Sequence, residues 1–592
     1  MSDFVVWMSP EPVPAAIYRR WNWSPGGRLG TRRTESCQLG RASTASVEVA
    51  AIGQGLGTRS RREFISGDDL AKKLLTDLPR AGPGGLDRYL GSVAGAMVNR
   101  TENKALIWRD RFGRHPLQMI RLDTGWVITS APELVSALSA SRPQWSNIQA
   151  FIHGDAQTTD TDVLTDIFRV RPAEYVEFYE FSPSQKAIWW TPSPRFFASP
   201  VDEAGALLRS LGSLYGKHPH ALTLSSGLDS ATLAAMASVV HPATEAVTFS
   251  DPSSHNDETE GARELAAHLG LRWRPFEVTE HWPLSRLTDH RFPPAWGPAA
   301  HPDAAWKMPF HRWLRARRGS MPVMYGNGAD ELLWVPSTLW LRDRWADGDI
   351  SALVEAFEHL PFKSWIRPAI SEAIDGLGLR SLRERLPSLS DSRPPWQRSE
   401  DWITREPPGA DLVDPGSATK QYFQLRLRRL QTWRWERIMR SLAAESRRAN
   451  RPIWTPFLDA EFWELGLSLS PMNLVEGGRQ KSILRQATDN LLHEACRRRP
   501  KVGGFDPLVE RGLADRGSKQ VYTLLARQRL GGCNGFDGDA FVKAYEAYRR
   551  RPLDDGPRRY RGSWPIWRTL ATELWLRRLT TGRKAHWLHP RR

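Results

Sequence analysis

Apolar positions in the first third of the chain occur in short runs separated by turn-forming residues. Runs of this kind are typical of β-strands, and few stretches here have the longer helical period. Turn signals such as Gly-Pro-Gly-Gly at 82–85 and the stretch 111–116 divide the runs. The pattern predicts a β-rich, sandwich-type domain. Its predicted strands are residues 4–7, 47–52, 92–98, 105–109, 125–129 and 174–181.

The pattern changes after TPSPRFFASP at residues 191–200, a stretch that contains three prolines and is predicted to be a linker. Beyond it, strands alternate with helices, which is typical of a doubly wound parallel α/β sheet. After residue 350 the pattern is mostly helical. We therefore predict two domains, residues 1–195 and 196–592. The predicted helices here are 201–214, 231–240 and 257–269, and the predicted strands are 221–224, 246–250 and 322–325.

The stretch ALTLSSGLDSATLAAMASVV at 221–240 places a loop of small residues between a strand and a helix. Backbone N–H groups and the helix dipole at such a place can bind phosphate. Asp229 would repel phosphate unless a cation lies between them, so the loop favours a magnesium-bound nucleotide. The alternative is an ordinary turn in which Asp229 or Ser230 is the N-cap of the helix.

Composition narrows the class of protein. The 592 residues include 82 basic and 66 acidic ones, a net charge of +16 that suits an acidic substrate or a nucleic acid. We find no zinc-finger spacing, RNP-like signature or leucine zipper, and Cys37, Cys496 and Cys533 fit neither a disulfide framework nor a zinc site. No signal peptide or membrane-spanning run is present in the sequence, so we expect a cytoplasmic protein.

Several ordered motifs together resemble the asparagine synthetase superfamily. The resemblance implies an N-terminal Ntn-hydrolase-like, glutaminase-type sandwich and a PP-loop ATP-binding domain with a helical C-terminal extension. The motifs in the second domain are LTLSSGLDS (222–230), TFS (248–250), GNGADEL (326–332), TPFLD (455–459), GRQKSILRQA (478–487) and RRPKVGGF (498–505). Those in the first domain are WRDRFGRHPL (108–117) and TSAPEL (129–134).

The resemblance also assigns roles to residues. Asp229 and Asp330 would be the two magnesium ligands, and Lys501 would be catalytic by neutralising charge that develops on the adenylate or the tetrahedral intermediate. ATP and Mg²⁺ are therefore the expected cofactors. Ser226 stands where the family usually has glycine. The residues expected to bind the nucleotide are Leu222, Ser225, Ser226, Gly227, Asp229, Ser230, Thr248, Phe249, Ser250 and Gly328.

The start of the chain departs from the amidotransferase pattern. Those members have a cysteine directly after the initiator methionine, whereas this chain begins Met-Ser-Asp-Phe. We therefore expect no glutaminase activity, and the reacting amine would have to come from a source other than glutamine. Branches of the superfamily that lack this cysteine use an amine already on the substrate and close a ring. They resemble β-lactam synthetases, which act on a small amino acid, and lasso peptide cyclases, which act on a peptide. Asn327 stands where the β-lactam branch has tyrosine, and the chain length is closer to the lasso branch.

The sequence thus predicts an ATP-dependent, AMP-forming lasso peptide macrolactam synthetase. It would join an Asp or Glu side chain of a precursor core peptide to the N-terminal amine of that peptide. The expected partners are the core peptide, a leader-binding protein and a leader peptidase, without a membrane or nucleic acid.

The alternatives are a β-lactam-type or other small-molecule amide ligase, an ammonia-dependent asparagine synthetase, and a nucleic-acid-binding protein with a relic nucleotide fold. Glu331, Asp257 and Glu258 are candidates for supporting the metal or deprotonating the amine, or are ordinary capping and surface carboxylates. Tryptophans around the predicted site could wall a peptide pocket or pack in the core. They are Trp313, Trp334, Trp340, Trp345, Trp433 and Trp435.

Overall fold

The structure is a computed structural model that describes residues 3–334 and 426–580 apart from short internal gaps. The gaps are residues 25–26, 33–38, 59–60, 139–141, 154–161, 196, 241–243, 255–256, 286–295, 318, 320, 428–429, 431, 470–472, 477–478, 500–503, 527–528, 531–535 and 551–559.

Two antiparallel sheets form the N-terminal half. The first sheet has the strand order β11-β9-β10-β1-β3-β2, and the second has the order β13-β12-β8-β7-β5-β4 with β6 paired to β5. The strands are β1 Asp3–Met8, β2 Asn22–Trp23, β3 Leu29–Arg32, β4 Leu39–Ser43, β5 Val47–Thr58, β6 Arg61–Ser66, β7 Gly91–Asn99, β8 Lys104–Trp108, β9 Gln118–Leu122, β10 Gly125–Thr129, β11 Ile167–Arg169, β12 Glu174–Tyr179 and β13 Ser182–Ile188. The helices are α1 Ala15–Tyr18, α2 Gly67–Ala81, α3 Pro132–Leu138 and α4 Trp145–His153.

Alternation along the strands explains why the two sheets pack face to face. In β1, Phe4, Val6 and Met8 belong to the core between the sheets, whereas Val5 and Trp7 belong to a second core shared with α4. Helix α2 covers the outer face of the other sheet. The predicted sandwich is therefore confirmed, and helices cover both of its outer faces. The sequence pattern missed α2 and α4.

A five-stranded parallel sheet forms the core of the second half, in the order β16-β15-β14-β17-β18. The predicted doubly wound α/β fold is confirmed, with two strands, β16 and β18, that the sequence pattern did not indicate. The strands are β14 Ala221–Thr223, β15 Glu245–Ser250, β16 Arg272–Glu277, β17 Val323–Met324 and β18 Ile453–Trp454, followed by the hairpin β19 Val475–Glu476 and β20 Arg479–Gln480.

Helices surround this sheet, and the last of those described ends at Thr580. They are α5 Pro200–Gly216, α6 Leu228–Val240, α7 Thr259–His268, α8 Met308–Ala316, α9 Ala329–Leu333, α10 Trp433–Ala449, α11 Ala460–Ser468, α12 Ser482–Ala487, α13 Glu494–Arg498, α14 Asp506–Arg511, α15 Ser518–Leu525, α16 Gly538–Arg549 and α17 Tyr560–Thr580. Among the described residues, no helix is both long enough and apolar enough to cross a membrane.

The strand order fixes where a ligand can bind. Strand β14 lies in the middle, and the chain continues to β15 and β16 on one side and to β17 and β18 on the other. The order of the strands therefore reverses between β14 and β17. In open α/β sheets, ligands bind outside the carboxyl ends of the strands at such a point. The SSGLDS loop follows β14 and the GNGADE loop follows β17.

Helix α10 joins the parallel sheet to the sandwich through buried charges. Glu436 accepts hydrogen bonds from Arg109 of the sandwich and from Arg440 one turn along the helix, both at 2.8 Å. Arg440 in turn donates to Asp162 of the sandwich at 3.1 Å. All four side chains are buried. Helix α10 therefore packs on both halves of the chain. The predicted domain boundary between residues 195 and 196 stays a prediction.

The charges around Glu436 decide its protonation. Burial alone raises the pKa of its carboxyl group, but the guanidinium groups of Arg109, Arg440 and Arg169 lower it more, and the resulting pKa is about 2. The carboxylate therefore stays ionised in the folded protein at any ordinary pH.

We predict that Glu436→Gln lowers the free energy of unfolding by about 3–5 kcal/mol, because it removes the charge that neutralises buried arginines. The folded-state pKa of about 2 lies below the ordinary value of 4.5, so this contribution is present above pH 4.5 and is lost as the pH falls toward 2. Urea unfolding of the variant should therefore depend less on pH in that interval.

The matched control for this prediction is Glu546→Gln, which removes an exposed partner of Arg550 on α16. It should cost less than about 1 kcal/mol. Equal losses in the two variants would contradict the role of the buried network.

Candidate functional site

The SSGLDS loop is held in shape by its own hydroxyl groups. Ser225 Oγ accepts a hydrogen bond from the backbone N–H of Gly227 at 3.1 Å, and Ser230 Oγ bonds to the carbonyl oxygens of Ser225 and Gly227 at 3.2 and 3.1 Å. Helix α6 begins at Leu228, so Asp229 and Ser230 lie inside its first turn and neither is the N-cap. The loop is therefore preorganised at the positive end of a helix.

Two acidic side chains, one from each loop, meet on a single ammonium group. Lys481 Nζ lies 2.6 Å from both carboxylate oxygens of Asp229 and 2.6 Å from Asp330 Oδ1. Lys481 is 6% exposed and has a left-handed backbone with φ of 61°. The structure thus brings together the two predicted metal ligands, with a lysine that sequence reasoning did not single out. The only signal was its place within GRQKSILRQA.

The GNGADE loop requires glycine at position 328. Its φ is +106°, and a Cβ there would lie 2.5 Å from Leu458 Cδ2 of the TPFLD motif. The backbone N–H of Gly328 donates to Glu331 Oε2 at 3.1 Å, and burial raises the pKa of the Glu331 carboxyl group. Glu331 therefore braces the first turn of α9. The close approach of Leu458 explains why TPFLD accompanies GNGADE in the sequence.

The TPFLD motif also connects the site to the sandwich. Arg114, from the WRDRFGRHPL motif, donates to Thr455 Oγ1 at 2.7 Å. Asp459 is the N-cap of α11 and accepts from the backbone N–H groups of Glu461 and Phe462 at 3.0 and 3.1 Å. Two motifs that are about 340 residues apart along the chain thus meet beside the carboxyl end of β18.

The TFS motif and Leu222 support the loop from below. Leu222 is fully buried in the core, and Thr248 Oγ1 donates to the carbonyl oxygen of Leu224 at 2.8 Å. Phe249 packs edge-on against Phe310 with ring centroids 5.5 Å apart, and Ser250 is buried at the end of β15. Thr248 thereby couples the end of β15 to the SSGLDS loop.

Ser226, the residue that departs from the family pattern, donates its hydroxyl to Glu258 Oε1 at 2.8 Å. Asp257 accepts from the Thr259 hydroxyl at 2.7 Å and from the backbone of Asp251 at 2.9 Å. The two carboxylates therefore link the start of α7 to Ser226 and Asp251, and the N-cap residue Glu258 makes no side-chain cap hydrogen bond to the helix.

Lys501, the predicted catalytic residue, lies outside the described residues. The nearest described residue before it in sequence is Arg499, whose guanidinium lies against α7. A Cβ on Gly261 would meet Arg499 Nη1 at 1.6 Å and Ser226 Cβ at 3.0 Å. Glycine at 261 therefore makes room for Arg499 beside the SSGLDS loop.

A cavity of about 650 Å³ opens beside the GNGADE loop, with Asn327 and Glu331 in its wall. Its volume is within the range of small-ligand sites in proteins, about 300–1,000 Å³. Helix α10 supplies one side of the cavity and α17 supplies another.

The floor of the cavity carries a buried polar cluster. Tyr325 donates its hydroxyl to Glu445, which also accepts from Lys307 Nζ at 2.7 Å and lies 3.4 Å from His311 Nε2. Lys307 further pairs with Asp303 at 3.0 Å. Burial and Glu445 raise the pKa of the Tyr325 hydroxyl, and burial lowers the pKa of His311. The sequence pattern did not indicate this cluster.

Two of the tryptophans near the predicted site pack in the interior of the protein. Trp435 is buried and donates to the carbonyl oxygen of Phe112 at 2.7 Å, and Trp313 stacks on Phe310. Both are packing residues. Trp334 is 37% exposed, and Trp340 and Trp345 lie outside the described residues.

The start of the sandwich carries ion pairs. Asp3 is fully buried and accepts hydrogen bonds from Arg32 at 2.8 Å and from Arg447 of α10 at 2.8 and 3.0 Å.

Cys496 is a half-buried free thiol, and burial raises its pKa. Within the described part of the chain, no group of three or more His, Cys, Asp or Glu side chains could hold a metal ion.

We predict that Gly328→Ala lowers the free energy of unfolding by roughly 2–5 kcal/mol, because a left-handed alanine is strained and its Cβ collides with Leu458. The matched control is Gly319→Ala, where φ is +78° and nothing lies within 4 Å of the added Cβ. It should cost about 1–2 kcal/mol from strain alone. Similar urea midpoints for the two variants would show that the contact with Leu458 is not tight.

Comparison with known proteins identifies the family through one match. No curated protein matches the chain significantly. One similar solved structure is the glutamine phosphoribosylpyrophosphate amidotransferase from B. subtilis complexed with ADP and GMP, at 12% identity and a TM-score of 0.21, over 46% of this chain and 59% of that one. Another is described as the allosteric regulatory enzyme of purine biosynthesis, at 11% identity and a TM-score of 0.21, over 46% of this chain and 74% of the other. The asparagine synthase family model matches residues 207–577, more than half of the chain. The chain therefore belongs to the asparagine synthase family, whose members use ATP in forming amide bonds.

Proposed function

We propose that the protein is an ATP-dependent, AMP-forming macrolactam synthetase of the lasso peptide type. The observation that carries the proposal is the meeting of Asp229 and Asp330 at the switch point of a parallel sheet, directly beside a cavity of about 650 Å³. This arrangement supports a nucleotide on one side of the GNGADE loop and a second substrate on the other.

The carboxylates fit a magnesium ion. Both lie 2.6 Å from the same ammonium group, so their oxygens are close enough to share one cation, and hard oxygen ligands suit Mg²⁺. Among the described residues two carboxylates converge here, and the other ligands would be phosphate oxygens and water. The bound ion would neutralise phosphate charge. Lys481 would then be displaced from between the carboxylates toward the phosphates.

The chain's own residues would mainly position the nucleotide. The backbone of the SSGLDS loop would hold pyrophosphate through Ser225, Gly227 and the first turn of α6. Thr248, which is bonded to the loop, would border the nucleoside. Lys501 would stabilise negative charge on the reacting phosphate or the tetrahedral intermediate.

The reaction has two steps. A side-chain carboxylate oxygen of the peptide attacks the α-phosphorus of ATP, the bond to the β-phosphate oxygen breaks, and pyrophosphate leaves. The peptide's N-terminal amine then attacks the acyl carbon, the bond to AMP breaks, and the amine nitrogen loses a proton. The sum is one isopeptide bond, AMP and pyrophosphate, and the peptide loses the elements of one water. Holding the two ends together away from water supplies most of the catalysis.

Residues at the start of the sandwich bear on the source of the amine. No cysteine follows the initiator methionine, and Asp3 is tied to Arg32 and Arg447 near that end of the chain. This supports an amine carried by the substrate instead of ammonia made from glutamine. A core peptide, a leader-binding protein and a leader peptidase are the partners that the proposal requires.

A second candidate is a ligase that closes a ring on a small molecule, as in the β-lactam branch. The volume of the cavity favours this candidate, because about 650 Å³ is enough for a small molecule and too little for a whole peptide. In the peptide reading, the cavity accepts only the reacting ends and the rest of the peptide lies outside it.

We predict that Asp229→Ala and Lys501→Ala each lower AMP release by at least about a hundredfold, since each removes a charge that acts on the phosphates or the intermediate. Matched controls are Asp539→Ala, an exposed aspartate in the first turn of α16, and the exposed Lys519→Ala. Circular dichroism would confirm that the variants fold. Folded Asp229 and Lys501 variants with wild-type turnover would overturn the assignment of the site.

We predict that a leader-free core peptide encoded beside this gene loses one water when incubated with the protein and Mg-ATP. Mass spectrometry detects the loss, and AMP is measured in parallel. AMP without the mass change would favour the small-molecule ligase over the peptide cyclase. Conversion of aspartate to asparagine with ammonium would identify an ammonia-dependent asparagine synthetase.

A further inference from the structure

One wall of the cavity is lined by arginines from two helices. Arg434 and Arg437 project from α10, and Arg568 projects from α17. Arg434 is exposed, and the other two are half-buried. Guanidinium groups are planar, permanently charged and matched in shape to carboxylates. A wall of this composition favours an anionic ligand with planar oxygens.

Helix α4 of the sandwich fixes the direction of two of these arginines. Arg437 Nη1 donates to the carbonyl oxygen of Phe151 at 3.4 Å, and Arg568 Nη1 donates to that of Ile152 at 3.0 Å. Both carbonyls lie in the last turn of α4, where helix carbonyls lack intrahelical partners and the dipole is negative. The guanidinium of Arg437 also lies 5.6 Å from the centroid of the Phe151 ring. The carbonyl oxygens of α4 therefore help to orient both guanidinium groups.

Acidic groups also line the cavity, and one of them, Glu445, lies on α10 like Arg434 and Arg437. Lys307 bonds to both Asp303 and Glu445, and Glu331 braces the GNGADE loop. The cavity thus contains an arginine cluster and, at the GNGADE loop, residues next to Asp330, the proposed metal ligand. A ligand that spans it would have an anionic group at the arginines and another group toward the nucleotide.

We propose that the arginine wall formed by Arg434, Arg437 and Arg568 binds a carboxylate of the substrate, separate from the carboxylate that is activated. The inference rests on the proposed function in that it treats the cavity as the site of the ring-forming substrate. The arginines anchor one end of that substrate, and the sandwich holds two of them in place. This gives the sandwich a part in substrate binding that needs no glutamine hydrolysis.

The test uses the full-length protein and two small probes that differ in charge. Saturation-transfer NMR with glutarate, a dicarboxylate, should give a signal at least about threefold stronger than with the uncharged glutaramide. Arg437→Gln and Arg568→Gln should each reduce the glutarate signal to the level of glutaramide. The control Arg550→Gln, a largely exposed arginine directly after α16 and outside the cavity, should leave it unchanged.

Two results would overturn the inference: equal signals from the two probes, or a glutarate signal that Arg437→Gln and Arg568→Gln leave intact. If these variants do not fold, Arg434→Gln decides, because this exposed side chain can be changed without disturbing the core. It should reduce the glutarate signal about twofold, and an unchanged signal counts against the wall.

The test is independent of turnover. Glutarate binding that depends on the arginines, together with failure of the peptide to close, would discard the macrolactam assignment and keep the carboxylate site. Ring closure in the Arg437→Gln and Arg568→Gln variants at wild-type KM for the peptide would keep the macrolactam assignment and discard the carboxylate site.

Discussion

The buried ion network on helix α10 is the constraint on which the rest of the structure depends. Glu436 and Arg440 face the sandwich and pair with Arg109 and Asp162, while residues one position away on the helix, such as Arg437 and Ser441, line the cavity. A buried charge without its partner is strongly destabilising, so this network allows one orientation of the helix. The position of the cavity wall relative to the parallel sheet follows from that orientation.

The site itself depends on the parallel sheet. Strands β14 and β17 are adjacent, so the loops after them are brought together although they are about 100 residues apart in sequence. Leu458 lies close to Gly328, and Thr455 accepts a hydrogen bond from Arg114. The TPFLD motif is therefore a neighbour in space of both the GNGADE and the WRDRFGRHPL motifs. Residues outside the two loops, such as Leu458 and Thr455, therefore help to shape the surroundings of the predicted metal ligands.

Local patterns in the sequence predict what is determined locally. The strand-loop-helix at 221–240 is such a case, because its apolar run, small residues and helical period are contiguous. Helix α2 was missed although Leu70, Leu74 and Leu78 recur every four residues, since Gly67 and Pro79 interrupt the pattern. The pairing of Lys481 with Asp229 spans 252 residues and depends on the packing of the whole chain. Neither composition nor periodicity carries that information. The same is true of the Tyr325 and Glu445 pair.

The network on α10 also has a consequence for the history of the gene. Separating the sandwich from the synthetase half would leave Glu436 and Arg440 exposed without Arg109 and Asp162, and would leave Arg447 without Asp3. Loss of the N-terminal half by gene fission would therefore have to be accompanied by substitutions along one face of a single helix. The buried pairs of α10 therefore give the sandwich a role in folding that does not depend on its chemistry.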